Sequence, residues 1–351
     1  MDGYRDIMRG VFGQYGEMKY IYKKMKRVSI FIPEGKSNFS SIDGAYKLFV
    51  KTNEYLISVG KKAAFAVQLV GHSKEMDLRD GIFSIRPHVN FKDVRKTDLI
   101  IIPAIDVDVA ASIALNKRYL SWISKQYKQG AEVASFCVGA FLLASTGLLK
   151  GRNCSTHWMY ADLFRKMFPD VHLVTDMTIT DEYGIYTNGG AYSYLHLLLY
   201  LVEKYTDRET AIYCSKYFQI DIDRKYQSPF AMFWGLKTHQ DEEIKKAQLF
   251  IEKNVNRKIS IEELADKFAI GRRNFDRRFI KATANTPGEY LLRVKIEVAK
   301  KALETSRKTI NEVMYDVAYS DMKTFREAFR RITGMSPLDY RNKYNKEAVV
   351  L

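Results

Sequence analysis

The first two thirds of the chain alternate between short apolar runs and longer stretches whose apolar residues recur at helical spacing. The short runs indicate buried strands and are Val28–Ile32, Phe65–Val70, Leu99–Ile102 and Glu132–Phe136. The helical stretches between them are Ile42–Val59, Val109–Gln129 and Val138–Thr146. Strands that alternate with helices predict a mostly parallel sheet covered on both faces, an α/β sandwich of the flavodoxin-like type.

A hairpin and a final pair of strands complete this region before the pattern changes. Met76–Ile85 predicts a hairpin around Asp80-Gly81. Met177–Thr180 and Ile185–Thr187 predict two strands ahead of an apolar helix over Tyr192–Tyr205. The next stretch is polar, and every strong signal from residue 241 onward is helical. We therefore predict an N-terminal arm (1–26), an α/β domain (27–218), a linker (219–240) and an all-α domain (241–345).

The all-α region contains an internal repeat at an offset of 50 residues. Phe275 and Phe279 recur as Phe325 and Phe329, and Thr286-Pro287 recurs as Ser336-Pro337. Ahead of each pair stand a capping box, a helix with two core positions and a tight turn. The capping boxes are Ser260–Glu263 and Thr309–Glu312. This order predicts two successive helix–turn–helix units.

Basic side chains concentrate on the free face of the second helix in each unit. Gly271–Lys281 holds five basic residues and one acid, and its arginines point outward when the two Phe side chains face the core. Exposed Arg on such a helix can bond guanine edges or grip phosphates in a major groove. The competing interpretation is a solvated face of a helical bundle. The candidate DNA-contacting residues are Arg272, Arg273, Asp276, Arg277, Lys281, Lys323, Thr324, Arg326, Glu327 and Arg330.

Residues 241–345 resemble the AraC/XylS DNA-binding domain, in which a long helix joins two helix–turn–helix units. The matching motifs are Ile261-Glu262-Glu263-Leu264-Ala265, Arg273-x-Phe275-x-Arg277-x-Phe279, Thr286-Pro287-x-x-Tyr290, and Phe325-x-x-x-Phe329 with Thr333-Gly334-Met335-Ser336-Pro337-x-x-Tyr340-Arg341. The resemblance implies that Tyr290–Glu304 is the joining helix. It also implies that the second helices enter adjacent major-groove segments of double-stranded DNA, one helical turn (~34 Å) apart.

The same resemblance assigns base readout to six of the candidates and exposes two departures. The six residues are Arg273, Asp276, Arg277, Lys323, Arg326 and Glu327. Ala284 and Ala318 stand where the family usually has Gly. Because both side chains are small, we expect local adjustment of the backbone with the fold kept.

In the α/β region, Cys137 lies between a predicted strand and a predicted helix. This position resembles a nucleophile elbow, and a helix N-terminus favours the thiolate. His157 follows twenty residues later, so the domain holds the residue types of nucleophilic catalysis. A cysteine among Ala and Phe is also an ordinary core residue. Asn188-Gly189-Gly190 lacks the other residues of a phosphate loop, and we interpret it as a turn and helix start near the candidate site at Cys137.

Residues 27–217 resemble the ThiJ/PfpI branch of the class I glutamine amidotransferase-like superfamily, through the strand–Cys137–helix segment and Thr156-His157. Joined to an AraC-type domain, this combination is similar to the GlxA-type regulators. It implies a sensor domain that binds a small molecule in a former catalytic pocket near Cys137, His157, Ala104 and Ile105, and it implies homodimerisation.

Two departures from the enzymes of this superfamily count against retained catalysis. Those enzymes carry a Glu early in the helix after the first strand, but Ser37–Ser41 contains no carboxylate. They also carry Gly-Gly after the strand and its Pro, where this chain has Ala104-Ile105. We therefore predict a non-catalytic relative. The alternatives are a cysteine-dependent hydrolase, amidase or glyoxalase-like enzyme using Cys137 and His157, and a redox sensor based on oxidation of Cys137.

Composition changes this picture only in part. The formal net charge of +15 favours a polyanionic partner, although the excess is spread over the whole chain. Three cysteines do not make a disulfide framework and indicate a reducing compartment. No apolar stretch approaches the ~20 residues of a membrane span, so the predicted location is the cytoplasm. The scattered histidines indicate no zinc site, no cofactor is expected, and RNA polymerase is a further candidate partner.

Overall fold

The computed structural model describes residues 25–345, apart from 79, 106–107, 223–226, 234, 236 and 238. Most of the predicted N-terminal arm and several residues of the predicted linker therefore lie outside the described residues. The chain divides into two compact units. The first contains the chain up to Lys150 together with Ile179–Arg224, and the second contains Gly151–Thr178 and the chain from Lys225 onward.

The first unit is built on a seven-stranded sheet and a hairpin. The strands of the unit are β1 (Lys26–Phe31), β2 (Phe65–Gly71), β3 (Met76–Leu78), β4 (Phe83–Ile85), β5 (Val89–Asn90), β6 (Leu99–Ile102), β7 (Glu132–Phe136), β10 (Ile179–Glu182) and β11 (Ile185–Asn188). The sheet has the order β10-β11-β7-β6-β1-β2-β5. All its neighbouring strands are parallel except β10, which pairs antiparallel with β11, and this confirms the mostly parallel sheet. The predicted hairpin is present as β3 and β4, with Met76 opposite Ile85.

Helices cover this sheet because their apolar residues fall on one face. They are α1 (Phe39–Ser58), α2 (Val109–Leu115), α3 (Lys117–Lys128), α4 (Ala140–Ser145), α6 (Tyr194–Tyr205) and α7 (Arg208–Phe218). α1 buries Ile42, Leu48 and Phe49 in the core with the β1 and β6 side chains. Within the described residues, no helix combines the length and apolar composition needed to cross a membrane.

The predicted helix over Val109–Gln129 is divided into α2 and α3 at Asn116. The buried Asn116 side-chain amide donates to the Ser112 and Glu34 carbonyl oxygens, and its own oxygen accepts the Glu34 N–H at 2.8 Å. These bonds satisfy backbone carbonyl and N–H groups beside the break. The chain can therefore end α2 and begin α3 at Asn116 while the apolar spacing continues across both helices.

The second unit combines a short α/β segment with seven helices. The segment contains β8 (Asn153–Cys154), α5 (Ala161–Met167) and β9 (His172–Leu173). The helices are α8 (Glu242–Lys253), α9 (Ile261–Lys267), α10 (Arg272–Thr283), α11 (Pro287–Thr305), α12 (Ile310–Asp316), α13 (Met322–Thr333) and α14 (Pro337–Tyr344). The described part of the chain after residue 241 is helical, as predicted.

The sequence repeat corresponds to two separate hydrophobic cores. Phe275 and Phe279 anchor the first, which α8, α9 and α10 surround. Phe325 and Phe329 anchor the second, which α12, α13 and α14 surround. α11 contributes to both cores and is the joining helix that the resemblance implied. We call the two halves module 1 (α8–α10) and module 2 (α12–α14).

The two predicted capping boxes behave differently. Thr309 and Glu312 form the full reciprocal box at the start of α12. At α9 the Ser260 hydroxyl accepts the Glu263 N–H at 3.0 Å, but the Glu263 carboxylate instead pairs with Arg257 at 2.7 Å. The first box is therefore only half formed, because a nearby guanidinium is a stronger partner than a backbone N–H.

Candidate nucleic-acid interface and cysteine site

The predicted DNA-contacting residues lie on α10 and α13, the second helices of the two modules. Each helix buries its Phe pair completely, which turns the opposite face toward solvent. Nine of the ten candidates are exposed, and Asp276 is half-buried. The structure thus collects the candidates on two equivalent helix faces, five on each.

Ion pairs hold some of the basic side chains of α10, whereas others have no carboxylate partner among the described residues. The Arg272 guanidinium pairs with Glu262 on α9 and with Asp276 at 2.9 Å, so it ties α9 to the start of α10. For Arg273, Arg277 and Lys281 the described residues provide no acidic partner within ion-pair distance. Arg277 donates one hydrogen bond to the Asn274 side-chain oxygen at 3.0 Å, a neutral partner on the same helix, so all three cations can still bind phosphates or bases.

Arg278, one of the five basic residues in Gly271–Lys281, reaches toward α8 and is only partly exposed. Its guanidinium donates two hydrogen bonds to the Asp241 carboxylate, at 2.7 and 2.9 Å. Asp241 is the N-cap of α8, and the Arg278 guanidinium is the main cause that lowers the pKa of its carboxyl. The basic run in the sequence thus includes one residue with a structural role.

The N-terminus of α13 is stabilised differently from that of α10, by a side-chain cap. Asp321 caps the helix, and its carboxylate accepts hydrogen bonds from both the N–H and the hydroxyl of Thr324, each at 2.6 Å. The Thr324 hydroxyl therefore donates within the cap and keeps only acceptor capacity for a base or water. Lys323, Arg326 and Arg330 are exposed on the same face, so α13 presents cations much as α10 does.

The two Ala departures adopt left-handed backbone conformations. Ala284 has φ +56° and Ala318 has φ +56°, and Ala269 in the turn of module 1 has φ +52°. At the position fifty residues after Ala284, Gly334 has φ +72°. The expected local adjustment is therefore a left-handed alanine, which costs conformational energy because the Cβ approaches the backbone.

Cys137 occupies the sharp turn after β7, as the sequence predicted. It has φ +53°, and its N–H donates to the Asn188 side-chain oxygen at 3.3 Å. Gly139 allows the turn to approach the end of β6, since a Cβ there would lie 2.4 Å from the Pro103 carbonyl oxygen. A left-handed non-Gly residue at a strand-to-helix turn is the geometry of a nucleophile elbow.

Burial opposes the thiolate that the start of a helix would favour at Cys137. The side chain is 4% exposed, and burial raises the pKa of the Cys137 thiol to about 12. The helix that follows the turn is a short 3-10 segment leading into the six-residue α4. Desolvation disfavours the thiolate more than the N-terminus of so short a helix can stabilise it, so the thiol is neutral at physiological pH.

The loop after β6 is closed by its own hydrogen bonds. The Ala104 N–H donates to the Ser41 hydroxyl at 3.2 Å, and the Ala104 carbonyl accepts the Asn38 N–H at 2.9 Å. Ala104 and Ile105 are buried. An oxyanion hole needs free N–H groups aimed at the reacting oxygen, and the Ala104 donor is already engaged.

Glu34, the acid that precedes the Ser37–Ser41 segment, is also engaged. The Glu34 carboxylate lies 3.1 Å from the Arg118 guanidinium and 3.6 Å from the His72 ring.

Asn188 has a role at the cysteine turn that the sequence indicated only in outline, as part of a turn near the pocket. Its side chain holds the Cys137 N–H, and the signal in the sequence was the Asn-Gly-Gly turn after a buried strand.

His157 belongs to the second compact unit, whereas Cys137 belongs to the first. The His157 Nδ1 accepts the Met159 N–H at 3.1 Å and caps a short 3-10 helix over Trp158–Tyr160. Burial lowers the pKa of the His157 ring, so the imidazole is neutral. Its predicted partnership with Cys137 stays a prediction.

Comparisons with known proteins match both halves of the chain. Residues 50–204 match the model of the DJ-1/PfpI family, and residues 264–343 match a helix-turn-helix domain. The HTH-type transcriptional regulator GbdR of Pseudomonas aeruginosa is 25% identical over 248 residues, which is 68% of this chain. The match covers 66% of GbdR, so the chain spans just under two thirds of the length of this curated relative.

One further relative and one solved structure each match part of the chain. Isonitrile hydratase of Pseudomonas putida is 28% identical over 127 residues, covering 36% of this chain and 54% of the enzyme. A crystal structure of a Vibrio parahaemolyticus protein described as a transcriptional regulator superposes with a TM-score of 0.50 at 23% identity. It covers 55% of this chain and 99% of that protein, and at this identity it shows the fold alone.

Proposed function

We infer that this chain, which joins a DJ-1/PfpI-type α/β domain to an AraC-type double helix–turn–helix domain, is a sequence-specific DNA-binding transcriptional regulator. The observation that carries this inference is the pair of equivalent basic helices. α10 and α13 lie at one sequence offset, each on its own core, and each turns exposed cations to solvent. A bundle that only needed solubility would not require the same basic face twice.

In the DNA complex, the two faces would act on adjacent major-groove segments of double-stranded DNA. Arg273 and Arg277 on α10, with Arg326 on α13, can bond guanine edges bidentately. Lys281 and Arg330 stand further along the helices and suit phosphates. Arg272 braces the start of α10 through its two carboxylate partners, which keeps that helix in place as its neighbours contact bases.

The α/β domain would act as a sensor and not as an enzyme. A neutral, buried thiol at Cys137 and an Ala104 N–H bonded to Ser41 leave the former catalytic machinery without its nucleophile and one of its oxyanion donors. We propose that a small effector binds beside Cys137, Ala104 and Ile105. Its different affinity for two conformations of the protein would shift DNA binding.

The domain limits and the cellular setting belong to the same proposal. We retain 27–218 for the sensor and 241–345 for the DNA-binding domain, with 219–240 as linker. A homodimer in the cytoplasm, with RNA polymerase as a further partner, fits a regulator of this type. The charge of +15 supports a polyanionic ligand without locating its site.

Selection of bound duplexes from a random DNA pool tests the proposed function. We expect the full chain to enrich one sequence with two half-sites, and to bind it at least 10³-fold more tightly than unrelated duplex at physiological salt. The affinity should fall steeply with rising salt, since phosphate contacts release counterions. If the selection enriches no sequence and the chain binds every duplex only weakly, the proposed function is wrong.

An enzymatic function is the second candidate, favoured by the left-handed turn at Cys137 and by the relative named isonitrile hydratase. We expect no turnover of an isonitrile or a dicarbonyl compound. We also expect Cys137 in the folded protein to react with iodoacetamide at pH 8 far more slowly than in the urea-unfolded chain, because the thiol stays protonated. Mass spectrometry of the labelled peptides measures this rate. Turnover that disappears in Cys137→Ser would instead establish the enzyme.

A further inference from the structure

Lys295 lies in the middle of α11, where this helix passes from the core of module 1 to the core of module 2. Tyr290 and Val294, just before it, pack in the first core, and Ile296 and Ala299, just after it, pack in the second. Lys295 is only 7% exposed. A lysine is seldom buried where an apolar side chain would fill the same space, so its ammonium group requires a reason.

The Lys295 ammonium group contacts both modules. It donates to the Arg257 carbonyl oxygen at 3.4 Å, in the loop before α9. It also lies 5.6 Å from the centre of the Tyr319 ring, in the turn before α13. Burial, together with the nearby Lys258, lowers the pKa of Lys295.

Each of these partners is fixed within its own module. The Arg257 side chain pairs with Glu263 on α9 at 2.7 Å and lies over the Phe250 ring of α8. The Tyr319 ring packs 5.6 Å from Phe325, a core residue of α13. A shift at either end of the Lys295 contact would therefore move an element that supports a recognition helix.

We propose that Lys295 is a positioning residue that sets the angle between α10 and α13, and through it the spacing of the two half-sites that one chain can contact together. The proposal rests on the proposed DNA-binding function. α11 fixes the distance between the modules, because a continuous helix is stiff along its axis. Rotation of one module against the other is opposed by side chains at the crossover, and Lys295 is a polar side chain there that contacts both modules.

The test uses the full chain and the duplex that the wild-type chain selects from a random pool, with versions that have one base pair inserted or deleted between the half-sites. Lys295→Met keeps the aliphatic stem and removes the donor. Lys295→Arg keeps a cation that can reach the same carbonyl. Lys301→Met removes an exposed lysine from the same helix and is the matched control. Urea unfolding first establishes that each variant is folded, and Lys295→Gln replaces the Met variant if that one is not.

We expect the wild-type chain to disfavour the altered spacings about tenfold, as a chain that docks two helices at fixed separation should. Lys295→Met should reduce this preference to about threefold or less while keeping its affinity for a single half-site. Lys295→Arg and Lys301→Met should keep the wild-type preference. A folded Lys295→Met (or Gln) chain with the wild-type spacing preference overturns the role of Lys295 alone. A wild-type chain that selects no duplex overturns the DNA-binding function together with it.

Discussion

Ala284 ends α10 with a backbone conformation that glycine adopts more readily. Its φ of +56° places the Cβ near the following carbonyl, and the equivalent position after α13 is Gly334. The sequence showed the departure from Gly, and the repeat showed which position it matched. The sequence did not show whether the chain would keep the left-handed conformation at Ala284 or end the helix in another way.

Ala284→Gly should therefore stabilise the protein, by about 1 kcal/mol, because relief of the Cβ contact outweighs the added freedom of the unfolded chain. The free energy of unfolding in urea, followed by helical circular dichroism, measures this. Ala282→Gly, two residues earlier in the last turn of α10, is the control and should destabilise by about 1–2 kcal/mol, because it puts a glycine into the helix and removes a buried methyl group. Equal destabilisation by both substitutions would contradict the left-handed strain at Ala284.

Residue types alone predicted the cysteine turn and missed its electrostatics. Cys137 stands where the motif placed it, with a positive φ and a glycine two residues on. Its pKa depends on how completely neighbouring elements bury it, and those neighbours, such as Pro103, are distant in sequence. A local motif cannot report desolvation, which arises from long-range packing.

Elements were predictable where one apolar period was long, and less so where a polar side chain intervened. The continuous helix α1 follows from its apolar period, whereas the joining helix α11 was implied by the family resemblance. The break between α2 and α3 depends on three hydrogen bonds between Asn116 and two other residues. Helices α5 and α7 were missed, as were several short strands, because their apolar signals extend over few residues.

Besides their shared apolar core, α10 and α8 are joined by the ion pair of Arg278 with Asp241, which the sequence did not indicate. Asp241→Asn keeps an N-cap residue on α8 but removes the charge that Arg278 binds. We expect a loss of about 1 kcal/mol of stability at pH 7, since the pair is bidentate but partly exposed. Lys246→Met, which removes the cation of the exposed pair with Glu243, is the control and should leave the stability nearly unchanged.

The pH dependence gives an independent check on this pair. The pKa of the Asp241 carboxyl is lower in the folded protein than its ordinary value of 3.8, so its contribution is present above that value and is lost as the pH falls below it. The stability difference between wild type and Asp241→Asn should therefore shrink below pH 4. A difference that stays constant from pH 7 to pH 3 would contradict the ion pair as its source.

At the scale of the whole molecule, the sequence predicted the two architectures and the order in which they occur. A mostly parallel sheet precedes an all-α double helix–turn–helix, and the repeat at an offset of 50 residues located α10 and α13, the proposed recognition helices. The grouping of Gly151–Thr178 with the helical unit was not predictable. It depends on contacts such as the hydrogen bond of Asn285 to Asp162 at 3.2 Å, which join positions far apart in the chain.

The central claim is that α10 and α13 each read their own half-site, and the most direct measurement pairs helix variants with half-site mutations in the selected duplex. Arg277→Ala should weaken binding by ~1–3 kcal/mol and lose discrimination at one half-site, and Arg326→Ala should do the same at the other. Arg86→Ala, an exposed arginine of the first unit, is the control and should bind as wild type. Fluorescence anisotropy titrations give the affinities. If neither helix variant loses affinity or half-site discrimination, the account is wrong.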